Sequence, residues 1–183
     1  DEDYTYNSNE TLVHPDFDYW LGTPDGFKKV IKKTVIDAKC PFTLESFCKL
    51  VAPLYNGLEG MDAMNAIRFG FTDKTGLLQP PHADGEKFYQ QLVSNACIDD
   101  CEAAELIIYC PYESELAVIQ QMAVQSGEPM AYFIANGSKK SLPYLKDDGF
   151  YKNINIINFD VPQEDKNLLT ETVKRTSQYL ITV

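Results

Sequence analysis

Ala104-Glu105-Leu106-Ile107-Ile108-Tyr109-Cys110, stopped by Pro111, is an apolar run interrupted by a single charge, with the length of one buried strand and too short for a helix of its own. Two later runs have the same character: Met130-Ala-Tyr-Phe-Ile-Ala135, closed by Asn136-Gly137, and Ile154-Asn-Ile-Ile-Asn-Phe159. Between the first two, Ser114 to Ser126 places Leu116, Ile119 and Ala123 on one helical face and stops at Gly127. After the third, Gln163 to Leu180 reads as a long helix with Leu168, Leu169, Val173 and Leu180 turned inward. Strand, helix, strand, connection, strand, helix predicts parallel pairing with right-handed crossovers. Nearly continuous apolar strands agree, because a parallel sheet is covered on both faces. With a helix from Glu86 to about Ala96 ahead of it, residues 83–183 are expected to form a small α/β domain on a three-stranded parallel sheet.

Upstream, Gln79-Pro-Pro-His-Ala-Asp-Gly85 breaks both helix and strand and marks a boundary. Before it, residues 24–38 read as a helix: Thr23 caps it, and Pro24 suits its first turn. Phe27, Val30, Ile31, Thr34, Val35 and Ala38 line one face, with Lys28, Lys29, Lys32 and Lys33 on the other. Pro41 separates it from a second helix, Thr43 to Tyr55, and a third spans Leu58 to Phe69. Two short apolar segments around Gly76 then read as a hairpin. Three helices followed by a hairpin resemble a winged-helix unit over residues 24–80. The likeness is one of topology and carries no diagnostic motif. It implies DNA binding through the third helix, but that helix carries Glu59 and Asp62 against Arg68, whereas readers of phosphates and base edges use Lys, Arg, Asn or Gln. The expected organisation is an acidic arm over 1–22, a helical winged-helix-like domain over 23–82, and the α/β domain over 83–183.

Charge follows that division. The chain of 183 residues carries a net −11. Residues 1–22 hold six acids and no Lys or Arg, residues 23–90 hold eight acids and nine bases, and residues 91–183 hold thirteen acids and seven bases. Such a balance disfavours a general binder of the phosphate backbone, which works by displacing counterions with Lys and Arg. It favours an acidic surface meeting a partner protein with a basic one. No apolar run reaches the roughly 18 residues of a membrane span. Five cysteines, an odd number, with three in apolar stretches, read as reduced thiols and place the chain in the cytoplasm.

Ligands of open parallel sheets sit at the carboxyl ends of the strands. Those ends are Cys110, Tyr112 and Glu113; Asn136, Ser138 and Lys139; and Asp160. Lying side by side, they would form one cleft, with the Cys110 thiol activated by a helix N-terminus. Polar residues end most strands for the sake of turns, so the pattern is not specific. Cys97 and Cys101, one helical turn apart, lack the further ligands a zinc site needs. The Cys110-Pro111-Tyr112 run resembles phospholipase-D-type sequences superficially. Their His-x-Lys motif is missing, since the two histidines, His14 and His82, have no Lys two residues on.

No catalytic triad, metal set or cofactor motif can be assembled. The leading expectation is therefore a non-enzymatic, regulatory protein-interaction module without a cofactor, acting through its acidic surface. The second is an enzyme or ligand-binding domain using the strand-end cleft. The third is a nucleic-acid binder acting through the Lys28, Lys29, Lys32 and Lys33 face.

Overall fold

The structure, a computed structural model, describes residues 3–7, 10–29, 31–127, 131–138 and 141–180. The class is mixed α/β, as expected, but the sheet differs. It has five strands: β1 (Tyr4–Tyr6), β4 (Gly26–Lys29), β5 (Lys33–Lys39), β8 (Ala103–Tyr109) and β9 (Ile154–Asp160), side by side in the order β1-β4-β5-β8-β9. Two small hairpins accompany it, β2 (Leu12–His14) with β3 (Phe17–Gly22), and β6 (Phe71–Thr72) with β7 (Leu78–Gln79). The helices are α1 (Leu44–Tyr55), α2 (Gly60–Phe69), α3 (Gly85–Ile98), α4 (Leu116–Ser126), α5 (Tyr132–Asn136) and α6 (Gln163–Leu180).

The helix expected over 24–38 is the antiparallel hairpin β4–β5, with Phe27 opposite Val35, Lys28 opposite Thr34 and Lys29 opposite Lys33. Val30, Ile31, Thr34, Val35 and Ile36 are β-branched, and such residues lose rotamer freedom in a helix and pack well on a pleated surface. The lysine spacing that imitated a helical face comes from two strands folding back on each other. The first helix of the winged-helix resemblance is thus absent, whereas α1, α2 and the β6–β7 hairpin lie where they were expected. Thr43 does cap α1: its Oγ1 accepts the Ser46 N–H at 3.1 Å.

The predicted three-stranded parallel sheet is also corrected. The Cys110 N–H donates to the Asn153 carbonyl, and the Val161 N–H donates to the Glu102 carbonyl, so β8 and β9 run in opposite directions. The Glu102 N–H donates to the Lys33 carbonyl, which joins the starting ends of β5 and β8 and makes that pair parallel. Along β9, Asn155, Ile157 and Phe159 are buried while Ile154, Ile156 and Asn158 are exposed. That alternation belongs to a strand covered on one face, where continuous apolar character had suggested two. The second expected strand, 130–135, is not one: Tyr132–Asn136 is α5, and Met130 lies outside the described residues.

Two compact units emerge. The first comprises the described residues of Asp1–Ala38, Pro53–Ile107 and Ile156–Val183. Its core holds Val35, Met64, Ile67, Tyr89, Leu92, Val93, Leu106, Ile157 and Phe159. Here α3 packs against α2, α6 and the β2–β3 hairpin. It also lies over the sheet, because the rings of Tyr89 and Phe159 are 5.9 Å apart. The acidic stretch expected as an arm belongs to this unit as structure: β1 pairs with β4, and Trp20 on β3 is buried and donates through Nε1 to the Ser94 hydroxyl at 2.8 Å. The second unit comprises Lys39–Ala52 and the described residues of Ile108–Asn155. In it Phe47 is buried edge-on to Tyr151, and Leu116 and Leu145 are buried as well. Among the described residues no helix is long and apolar enough to cross a membrane.

Candidate active site

The β4–β5 hairpin brings together two carboxylates that the helical reading had kept apart. Gly26 stands opposite Ile36, and beyond that pair Asp25 stays bonded to the Ile36–Ala38 segment that contains Asp37. Two bonds hold Asp25 there: its N–H donates to the Ile36 carbonyl at 3.0 Å, and its Oδ2 accepts the Ala38 N–H at 2.7 Å. Pro24 has no N–H with which to extend the ladder, and β4 begins at Gly26, one residue after Asp25. Asp25 is exposed, whereas Asp37 is only 1% exposed and its Oδ1 accepts from Gln91 Nε2 of α3 at 3.1 Å.

The end of the hairpin thus holds one exposed and one buried carboxylate, Asp25 and Asp37. Burial of a charge is costly and is retained where it is paired or used. These hard oxygen donors suit Mg²⁺ or Mn²⁺. Among the described residues no group of three or more His, Cys, Asp or Glu side chains gathers as a metal cage. Two carboxylates still fit Mg²⁺, which is commonly held by one or two of them together with waters and substrate phosphates. The signal was present in the sequence as Pro24-Asp25 and Asp37-Ala38-Lys39, an acid before the first strand of a hairpin and an acid near the end of its second. It is invisible once 24–38 is read as a helix.

The residues expected from the strand ends are dispersed. With β8 and β9 antiparallel, Asp160 lies at the Glu102 end of β8, away from Cys110. Asp160 is exposed and paired with Lys32 at 2.6 Å. Cys110 is 1% exposed, and burial pushes its thiol up to about 11, opposite to the expected activation by a helix N-terminus. Tyr112 and Glu113 shape the turn into α4: the Tyr112 N–H donates to Glu115 Oε2 at 2.7 Å, and the Glu113 N–H donates to the Leu145 carbonyl at 2.8 Å. Asn136 Nδ2 donates to the Tyr132 carbonyl, and the Ser138 hydroxyl meets that of Ser141. Lys139 lies outside the described residues. The second unit has an apolar cleft of about 480 Å³ bounded by Leu44, Cys48, Tyr144, Phe150 and Tyr151, and none of the predicted strand-end residues lines it.

The four lysines are not one helical face. Lys28 reaches Glu105 at 3.2 Å, Lys33 reaches Asp99 at 2.9 Å, and Lys32 reaches Asp160, while Lys29 is exposed.

Cysteine chemistry is directly testable. Burial raises the Cys101 thiol to about 11 as well, and Cys40 is exposed. At pH 7 a thiol near 11 is ionised in only about one molecule in 10⁴. Iodoacetamide is expected to alkylate Cys40 first and to leave Cys101 and Cys110 unmodified until the protein unfolds, as read by peptide mass spectrometry. Rapid labelling of Cys110 in the folded protein would restore the cleft reading.

No family model and no curated protein matches the sequence. Among solved structures, the chain is similar to a phage-related exonuclease from Haemophilus somnus 129PT, with a TM-score of 0.54 and 16% identity over 98% of this chain. The match spans 62% of that protein's length, and at this identity it establishes the fold alone. That neighbour is an enzyme, and it overturns the expectation of a non-enzymatic docking module, which had rested on the lack of any assembled catalytic set and on the acidic surface.

Proposed function

We propose that the chain is a metal-dependent nuclease that hydrolyses phosphodiester bonds at the Asp25–Asp37 end of the β4–β5 hairpin. The observation that carries this reading is that the exposed Asp25 is bonded across the hairpin to the Ile36–Ala38 segment, which holds the buried Asp37. The likeness of the fold to a phage-related exonuclease supports it.

Asp25 and Asp37 are the residues that would hold a divalent cation, with Gln91 fixing the rotamer of Asp37 through its 3.1 Å bond. When bound, the cation would neutralise phosphate charge and make a water nucleophilic near neutral pH. The Ala38 N–H bond keeps the exposed Asp25 carboxylate turned toward β5, so that its second oxygen remains directed by the backbone and not by a flexible rotamer. The overall balance is water plus a phosphodiester giving a phosphomonoester and a free hydroxyl.

The test is degradation of end-labelled DNA in Mg²⁺ or Mn²⁺ against the same reaction in EDTA. Shortened products are expected only with the cation. Equal degradation in EDTA, or none under either condition, would refute the assignment.

A further inference from the structure

The hairpin has a second end. Asp25 and Asp37 stand where its strands open, and Lys29, Ile31 and Lys32 stand where they meet. Ile31 is 93% exposed, the most exposed of the large hydrophobic side chains among the described residues. It sits in a stretch that holds four of the chain's sixteen Lys and Arg residues, in a molecule whose net charge is −11. Two of those lysines have internal roles, since Lys28 meets the buried Glu105 and Lys33 meets Asp99. The other two do not serve the core. Lys29 is exposed, and Lys32 pairs with Asp160 in a contact where both side chains face water, at 43% and 70% exposure. An ion pair so exposed contributes little and is readily exchanged for another anion.

We infer that the tip of the β4–β5 hairpin is a DNA-contacting element, with Lys29 and Lys32 binding backbone phosphates and Ile31 inserting as an apolar wedge against sugars and base edges. The inference rests on the nuclease reading for its choice of partner. Charge complementarity selects a polyanion, and the apolar Ile31 between Lys29 and Lys32 selects one with apolar faces to offer between its phosphates. The spacing agrees. Four residues of strand separate Asp25 from Lys29, and at about 3.4 Å per residue they cover ~14 Å, the axial rise of about four base pairs. A strand gripped at the tip therefore reaches the carboxylates a few nucleotides further on. A net-negative chain thus gains its hold on DNA at a local positive tip, from which the strand runs on to the carboxylates.

The experiment measures binding of a fluorescein-labelled 20-base-pair duplex, and of the matching single strand, in EDTA at several salt concentrations. It compares the full chain with Lys29→Gln/Lys32→Gln, Ile31→Ala and Asp160→Asn. The double lysine variant should weaken duplex binding ~30-fold at 0.15 M salt and reduce the slope of log K against log salt by ~1.8. Ile31→Ala should weaken binding about fivefold with no change of slope, since an apolar contact releases no counterions. Asp160→Asn, which frees Lys32, should tighten it. These side chains are at the surface, and circular dichroism checks that each variant is folded. Hydrolysis of bis(p-nitrophenyl) phosphate in Mn²⁺ reads the chemistry separately and should be unchanged in all three. Unaltered affinity and salt slope in the double lysine variant would overturn the inference even if the enzyme is a nuclease. Lack of metal-dependent hydrolysis by the unaltered chain would instead refute the nuclease reading and leave the binding result to stand on its own.

Discussion

Asp37→Asn is expected to abolish phosphodiester hydrolysis, by about 10³-fold or more, in a protein that remains fully folded. The substitution keeps the shape of the side chain and removes only its charge. The introduced amide would retain an Oδ1 to accept the Gln91 Nε2–H, the bond that now holds Asp37 at 3.1 Å. What it loses is the anionic donor that would hold a cation, and such a cation supplies several kcal/mol of stabilisation to the developing phosphate charge, about 4 kcal/mol being 10³ in rate. Stability should move the other way. Asp37 is 1% exposed, and a neutral amide in that place relieves the desolvation of a carboxylate. The unfolding midpoint of the variant is therefore expected to equal or exceed that of the parent, as measured by urea titration. A residue whose removal costs activity and relieves the fold is one kept for chemistry. Asp25→Asn is the companion variant. Its Oδ1 can still accept the Ala38 N–H, so a loss of activity there would again report charge and not geometry. Hydrolysis by Asp37→Asn within about threefold of the parent would remove this carboxylate pair as the reaction centre.

The elements that could be read from the sequence were those whose apolar period is unambiguous. Helix α3 was expected from Glu86 to about Ala96 and spans Gly85–Ile98, with Tyr89, Leu92, Val93 and Ala96 buried at helical spacing. Helix α4 ends where Gly127 takes a left-handed φ of 64°, the conformation that made that glycine a stop signal. Strand β8 was located within one residue at each end. The largest error came from the absence of a turn signal. The β4–β5 connection contains Ile31 and Lys32 and no Gly, Asn or Pro, so two strands merged into one helical period. Strands β1 and β2 are three residues each and lie in a polar, acidic stretch, too short to show alternation. The carboxylate pair was lost as a consequence, because only the hairpin bonds Asp25 to the segment that holds Asp37. The strand-end cleft failed for a topological reason: nothing in Ile154–Phe159 states which way the strand runs, and the direction came from the Asn153 and Val161 backbone bonds.

The largest effect on stability is expected at Glu105. This residue of β8 is 2% exposed, and three donors converge on its carboxylate. Tyr4 Oη donates at 3.0 Å from β1, Lys28 Nζ at 3.2 Å from β4, and Asn158 Nδ2 at 2.7 Å from β9. Lys28 Nζ also donates to Tyr4 Oη at 3.2 Å and lies 4.7 Å from the centre of that ring. One buried acid thus binds residues of three other strands of the sheet, including the short β1, whose three residues pair with β4. Glu105→Ala leaves a lysine and an amide facing a cavity with no acceptor. Removing one partner of a buried pair costs about 3–5 kcal/mol; with the Lys28 side chain 27% exposed and able to reach water, about 2–4 kcal/mol is expected. Glu105→Gln keeps an acceptor and should cost less, and Glu105→Leu, which fills the space, should fall between the two. The sign of the pH dependence follows from Lys28, whose pKa is raised by its hydrogen bonds to Tyr4 and Glu105. Its contribution is fully present below the ordinary lysine value near 10.5 and is lost as pH rises through the higher folded value, so the stability gap between parent and Glu105→Ala should narrow only in strong alkali. Denaturant titration measures the gap, and hydrogen exchange at Thr5 and Tyr6 measures the release of β1. If Glu105→Ala unfolds within 0.5 kcal/mol (about the noise of such titrations) of the parent, the acid is a passenger in the sheet and not the group that ties β1 to it.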